Sequence, residues 1–258
     1  MNYPYKAVIT DLDRTLLHTD KTVSGYTLQI MKRLKQSGVI LLAATARPER
    51  AVAEYNELLE FDAITTLNGA RTVLKDAEYG YPLSTAGAKS VLKQMSAMKG
   101  AVISVETNHG IFANTDIPLW HPVVTNRIET IPDTETVNKL LFSHPEIPVG
   151  EWRFDLPEDT YFSIADGKLM QIMNRKATKW NGIQIMLEAF GIAPEDSIYF
   201  GDDNDDIEPL KHCGYGVAVS NALEAVKAAA DAIGESNDED GVAHFLNRLF
   251  DEASRLPD

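Results

Sequence analysis

One cysteine, Cys213, stands in 258 residues, so the chain can form neither an intrachain disulfide nor a multi-cysteine zinc site. That usage fits a reducing cytoplasm, and Cys213 itself reads as core filler. Basic residues are also scarce: 24 Lys and Arg stand against 38 Asp and Glu, a formal net charge of −14. Such a surface repels nucleic-acid backbones and anionic membranes and leaves small molecules as the expected partners. An anionic small molecule remains compatible, because a bound divalent cation reverses the field locally. The opening MNYPYKAVIT lacks a basic segment followed by a long apolar run, so neither a secretory signal nor a membrane anchor is expected. Missing too is a glycine-rich turn after the first apolar strand; aspartates stand there, which removes the sequence basis for NAD or FAD. Nothing in the sequence speaks to oligomeric state.

What is present is the ordinary balance of a globular chain, 44% hydrophobic and 24% charged. YKAVIT is a short β-rich run that stops at aspartates, as a buried parallel strand does at the functional edge of a sheet. Ser24 reads as the N-cap of a helix through about Gln36, with Leu28, Met31 and Leu34 on its buried face, closed by Gly38. VILLAATA from Val39 is a second strand, and the stretch after Pro48 a helix with Val52, Tyr55 and Leu58/Leu59 inward. A third strand follows at Asp62 to Thr65. This alternation predicts a doubly wound parallel α/β sheet with its active edge at the strand carboxyl ends.

From Gly80 to Asn174 the pattern becomes α+β: strand-like AVISVET, IFAN, VGEWRFD, YFSIA and KLMQIMN, with helical patterns near 86–98 and 133–142. Residues 80–174 therefore read as an inserted domain, with 1–79 and 175–258 forming one core. After Lys179 the alternation returns: a helix to about Phe190, strand SIYF, a short helix near 206–211, strand YGVAV and a helix from Ala222 to about Ala230.

Two carboxylate clusters carry the chemistry. In DLDRTLL, Asp11 and Asp13 lie two residues apart at a strand end and point to one side in extended backbone. Their mutual repulsion is relieved by a shared proton or by a cation such as Mg²⁺, which would also hold a phosphate oxygen. Capping of a turn is the plainer alternative. GDDNDDIEPL places four aspartates in five residues after SIYF, an oxygen-rich set that suits a hard divalent ion, or else an acidic helix start. Thr45, and a lysine at 176 or 179, could bind and stabilise a phosphoryl group.

DLDRTLL, AATARP, KATKWNGI and GDDNDDIEPL, in that order, resemble the four motifs of the haloacid dehalogenase superfamily, in particular its Cof-type, subfamily IIB sugar-phosphatase branch. TLNGA at 66–70, VAVSNALEAVKAAAD at 217–231 and SNDEDGVAHFL at 236–246 look like that branch too. The resemblance implies a Rossmann-like core with an α+β cap, and a magnesium-dependent phosphatase acting on small phosphorylated metabolites. It implies Asp11 as nucleophile, Asp13 as acid and base, and Mg²⁺ held by Asp11, the Asp13 carbonyl and Asp202, with Asp206 nearby. Thr45 and Lys179 would bind phosphate, Lys179 being preferred to Lys176 because it stands just before the helix. Leu12, Ala46, Asp205 and Asn221 complete the implied phosphate contacts, although Asn221 could simply cap the next helix.

Three positions depart from the family pattern: Arg14 and Ala46 replace glycines, and Asp205 replaces an asparagine. Specificity is expected in the cap, with His109, His121, Arg127, Trp152 and Arg153 as candidate contacts. The alternatives are a phosphomutase of the same superfamily, a phospho-accepting receiver domain and a non-catalytic metal-binding module. Asp13 and the insert count against the receiver.

Overall fold

The computed structural model describes residues 3–74, 77–117, 126–165 and 167–253. The chain divides into two compact units, Met1–Tyr79 with Thr178–Asp258, and Gly80–Ala177. In chain order the first unit opens with β1 (Ala7–Thr10), α1 (Gly25–Gln36), β2 (Ile40–Ala44), α2 (Ala53–Leu59), β3 (Ala63–Thr66), β4 (Arg71–Leu74) and β5 (Ala77–Gly80). The second unit contains α3 (Thr85–Ala97), β6 (Val102–Thr107), β7 (Gly110–Ala113), β8 (Asn126–Arg127), β9 (Val137–Ser143), β10 (Thr160–Ala165) and β11 (Leu169–Asn174). The chain then returns with α4 (Lys179–Phe190), β12 (Ser197–Gly201), α5 (Ile207–His212), β13 (Tyr215–Ala218), α6 (Glu224–Lys227), β14 (Ala232–Ile233) and α7 (Gly241–Ala253).

The first unit is built on an eight-stranded sheet, ordered β14-β13-β12-β1-β2-β3-β4-β5. Strands β14 through β3 run parallel, and β4 turns back antiparallel on β3. All four residues of β1 are buried, because neighbouring residues on a central parallel strand face opposite layers that are both covered. α1 starts where the Ser24 hydroxyl accepts the Thr27 N–H at 3.0 Å and packs Ile30, Met31 and Leu34 into that core. Register then sets the site: Thr10 pairs with Ala43 on β2 and Phe200 on β12. Residues just past these ends (Asp11, Thr45 and Asp202) therefore emerge along one edge of the sheet.

The second unit is a separate sheet, ordered β10-β11-β9-β6-β7-β8 and antiparallel except for β7 with β8. Val91 and Met95 of α3 pack on Ile103, Val105, Leu140, Phe142 and Ile172. Here the structure corrects two expectations. Residues 133–142 hold no helix: β9 is the central strand, paired with β6 and β11 and buried on both faces. Burial on both faces removes period-two alternation: Asn138 and Lys139 are buried along with Leu140, Leu141 and Phe142, and Val137 with LLF imitates a helical stripe. VGEWRFD is not a strand either. Val149–Glu151 form a 3₁₀ turn after Pro148, and Trp152 is spent on the apolar core, where its ring meets Phe142 edge-on. In the first unit Leu58 points outward, 58% exposed, while Leu59 faces the core. The expected helix from Ala222 shrinks to the single turn of α6.

Candidate active site

Asp11 follows β1 and is buried, with its N–H donating to the Phe200 carbonyl at 2.9 Å. Asp202 follows β12, and Asp206 lies in the 3₁₀ turn Asn204–Asp206 that leads into α5; both are buried. One carboxylate oxygen from each of these three residues lies within 4.8 Å of the others. Lys179, the first residue of α4, donates from Nζ to Asp11 Oδ1 at 2.8 Å and to Asp206 Oδ1 at 2.6 Å. Asp206 is saturated by the protein itself. Its Oδ1 also accepts from the Tyr199 hydroxyl at 2.6 Å, and its Oδ2 from the N–H groups of Asp202 and Asp203 at 2.8 and 3.0 Å. Asp206 thus shapes the turn that presents Asp202. Thr15 Oγ1 donates to Asp202 Oδ1 at 3.0 Å.

Three buried carboxylates with one lysine are short of positive charge. Burial pushes the Asp11 carboxyl well above its usual range, the neighbouring Asp206 and Asp202 add to this, and Lys179 opposes it. Burial and then Asp206 raise Asp202 to about 6. Burial alone would neutralise Lys179, but Asp11 and Asp206 hold it charged, with its pKa raised. A hard-oxygen set of this kind, with unrelieved like charge, fits a divalent cation.

The Asp13 carboxylate is placed apart from that trio. Arg47 grips it with Nε to Oδ2 at 2.6 Å and Nη2 to Oδ1 at 2.8 Å, and Lys21 Nζ adds a bond at 2.7 Å. Burial raises its pKa, but the hydrogen bonds from Arg47 and Lys21 outweigh this and bring it to about 2. Arg47 is itself steadied by the Tyr55 ring 5.0 Å from its guanidinium carbon and by the Ala51 carbonyl. Thr45 is buried beyond β2. Its N–H donates to the Thr65 carbonyl, its carbonyl accepts from the Asn68 N–H, and its hydroxyl accepts the Arg47 N–H at 3.2 Å.

Two glycines bring α4 close enough for Lys179 to reach Asp11. Gly69 has φ +90°, and a Cβ there would stand 1.9 Å from the carbonyl oxygen of Thr178, the N-cap of α4. Gly182, one turn into α4, would put a Cβ 2.1 Å from the Thr65 hydroxyl. Gly69→Ala is therefore expected to cost about 2–4 kcal/mol, the sum of overpacking and a disfavoured backbone. It should also lower activity by displacing Lys179; urea unfolding and a rate assay on the same sample check both.

With this geometry in view, the comparisons are specific. A profile of haloacid dehalogenase-like hydrolases matches residues 8–246. The chain belongs to that family. It is an enzyme, and its placement with the Cof-type hydrolases stands. Among its relatives is the 5-amino-6-(5-phospho-D-ribitylamino)uracil phosphatase YitU of Bacillus subtilis, 27% identical, the match covering 96% of this chain and 98% of that one. Another is a phosphoglycolate phosphatase of Methanopyrus kandleri, 23% identical over 95% of this chain and 97% of that one. A haloacid dehalogenase-like hydrolase from Bacteroides thetaiotaomicron has the same fold: TM-score 0.82, 23% identity, 95% of this chain and 100% of that one covered. The relatives' names support a phosphatase.

Among the residues expected at a haloacid dehalogenase site, Lys179 is the lysine at Asp11, while Lys176 is exposed. Leu12 buries its side chain, and its carbonyl accepts the N–H groups of Thr15, Leu16 and Leu17, so a phosphate contact falls to its own N–H. Ala46 is exposed, and Asp205 accepts a hydrogen bond from Asn68 Nδ2. Asn221 spends both ends of its amide on backbone: Nδ2 donates to the Arg14 carbonyl at 2.8 Å, and Oδ1 accepts the Asn237 N–H at 3.0 Å. Asn237 Nδ2 then donates to the Leu17 carbonyl at 3.0 Å, so the two asparagines tether the loop that follows Asp13. Of the candidates in the second unit, Trp152 is core, His109 pairs with Glu135, Arg127 donates to the Asn114 carbonyl and Arg153 to the Trp152 carbonyl. His121 lies outside the described residues. Arg47, Asn68 and Tyr199 were missed as individual residues, although AATARP and TLNGA contain two of them.

Proposed function

We propose that this chain hydrolyses small phosphate monoesters, sugar phosphates foremost, in a Mg²⁺-dependent reaction that passes through an aspartyl phosphate on Asp11. The observation that carries this reading is a buried strand-end carboxylate with Lys179 on one oxygen and two further carboxylates within 4.8 Å. Asp11, Asp202 and the Asp13 carbonyl would hold the ion, with Asp206 beside them. Bound there, Mg²⁺ supplies positive charge that lets an anionic phosphoryl group approach an anionic nucleophile. Asp11 attacks phosphorus and the ester oxygen leaves with a proton from Asp13. Water, deprotonated by Asp13, then attacks the aspartyl phosphate and frees Asp11 and inorganic phosphate. Thr45, Lys179 and the Leu12 N–H bind the phosphoryl oxygens.

Gripped by Arg47 and Lys21, Asp13 is in its base form. Donating a proton in the first half-reaction requires loosening that grip, which substrate entry would bring about. The unit Gly80–Ala177 would select the leaving group, with His109, Arg127 and Arg153 as its candidates. The two relatives are named for different phosphate esters, so neither substrate carries over. No helix among the described residues is long and apolar enough to cross a membrane. The single cysteine is compatible with a reducing compartment such as the cytoplasm, where we propose the protein works.

Phosphate release from p-nitrophenyl phosphate and a panel of phosphorylated metabolites tests the reading. Activity should need Mg²⁺ and vanish in EDTA. Mg²⁺ at about 100 times its Kd should stabilise the fold by about 2.7 kcal/mol. Activity undiminished by EDTA would sink the metal-dependent reading.

A further inference from the structure

Arg14 stands where glycine is usual in the family, and its backbone keeps the left-handed conformation that glycine favours, φ +60°. The conformation is enforced by neighbours: Asn221 Nδ2 holds the Arg14 carbonyl at 2.8 Å, and the Thr15 N–H turns back onto the Leu12 carbonyl at 3.3 Å. A bulky side chain at such a position is a strained choice that its packing does not repay. The Arg14 side chain is 60% exposed, and Nε lies 3.8 Å from Asp202 Oδ2, an ion pair beyond hydrogen-bond reach.

The other cations of this edge are committed. Lys179 bridges Asp11 and Asp206, while Arg47 and Lys21 hold Asp13, all at hydrogen-bond distance. Arg14 alone of these four offers its guanidinium fork to solvent beside the nucleophile's cluster. If Asp202 serves a divalent cation, its hold on Arg14 weakens further. On a chain of net charge −14, an uncommitted guanidinium at the mouth of an acidic site is the group that would capture an incoming oxyanion.

We propose that Arg14 is a specificity-determining residue that grips a second oxyanion, a carboxylate or a second phosphate, on the phosphorylated substrate. The proposal rests on Asp11 and its neighbours being the phosphatase site. It gives the side chain a role at a backbone position that favours glycine.

Matched substrate pairs test it through ratios of kcat/KM: 3-phosphoglycerate against glycerol 3-phosphate for the carboxylate, and fructose 1,6-bisphosphate against fructose 6-phosphate for the second phosphate. Wild type should favour the doubly anionic member of at least one pair. Arg14→Gly suits the local backbone and so should fold, and it should lower that ratio about tenfold; Arg14→Lys should restore part of it. The pair that responds names the oxyanion. A ratio unchanged by Arg14→Gly in both pairs, or no preference in wild type, overturns the proposal. No hydrolysis of these four, of p-nitrophenyl phosphate or of the wider panel by folded wild type with Mg²⁺ would overturn instead the phosphatase reading beneath it.

Discussion

Asp11→Asn should lower kcat by about 10⁴-fold or more while the protein stays folded, because the substitution removes the nucleophile and keeps the size of the side chain. An asparagine oxygen can still accept from Lys179 Nζ, and the side chain keeps its volume in a site that is 4% exposed. The variant also removes one of three buried like charges. Asp202 and Asp206 raise the Asp11 carboxyl above its usual range together with burial, so the metal-free variant should be at least as stable as the parent. Its stabilisation by Mg²⁺ should shrink, because a ligand has been lost. Thermal unfolding with and without Mg²⁺, beside the rate assay, separates loss of chemistry from loss of fold. Residual activity within tenfold of wild type would exclude Asp11 as nucleophile.

The second large effect is on stability. Lys179→Met keeps the length of the side chain but deprives Asp11 and Asp206 of their shared cation in a site where the lysine is 4% exposed. Removing one partner of a buried ion pair costs about 3–5 kcal/mol, and the stranded carboxylates recover part of that by taking up protons. The deficit should therefore be larger at pH 8 than at pH 5, and urea midpoints at the two values measure it. Activity should fall by at least about 10²-fold through loss of transition-state charge stabilisation. In an Asp11→Asn background Lys179→Met should cost less stability than it does in the parent, since the two groups touch. Full additivity would mean that the contact contributes nothing.

The same electrostatics set a pH dependence. Asp202 is raised from its ordinary value of 3.8 to about 6, so between those values the native protein binds more protons than the unfolded chain. Stability of the metal-free protein should accordingly fall as pH rises through about 4 to 6, and Asp11, also raised well above its usual range, pushes the loss in the same direction. Mg²⁺ should bind more tightly as pH rises through this range, because fewer protons have to be displaced from Asp202. Denaturation in EDTA across that range, repeated with Mg²⁺, tests the sign: stability of the EDTA-treated protein that rises through this window would contradict it.

Much of the first unit was legible because buried parallel strands are apolar runs that end where the chemistry begins. YKAVIT stops at Asp11, VILLAATA at Thr45 and SIYF before Asp202; one register then brings the three ends together. Lys179 was legible as the residue opening a helix, although only packing through Gly69 and Gly182 explains how it reaches Asp11. Other roles depend on where a side chain arrives in space. Tyr199 reads as strand filler, yet its hydroxyl is one of four donors on Asp206. Asn221 reads as a ligand or a cap, and the structure shows it holding the Arg14 carbonyl. In the second unit β9 misled because a strand buried on both faces loses its alternation.

The most direct test of the account is chemical capture of the intermediate. Enzyme turning over p-nitrophenyl phosphate in Mg²⁺ is quenched in acid and reduced with borohydride, which converts an aspartyl phosphate to homoserine, and its peptides are sequenced by mass spectrometry. The account predicts homoserine at position 11, dependent on both substrate and Mg²⁺ and absent from Asp11→Asn. Active enzyme that yields homoserine at position 13, or at no aspartate, would contradict it.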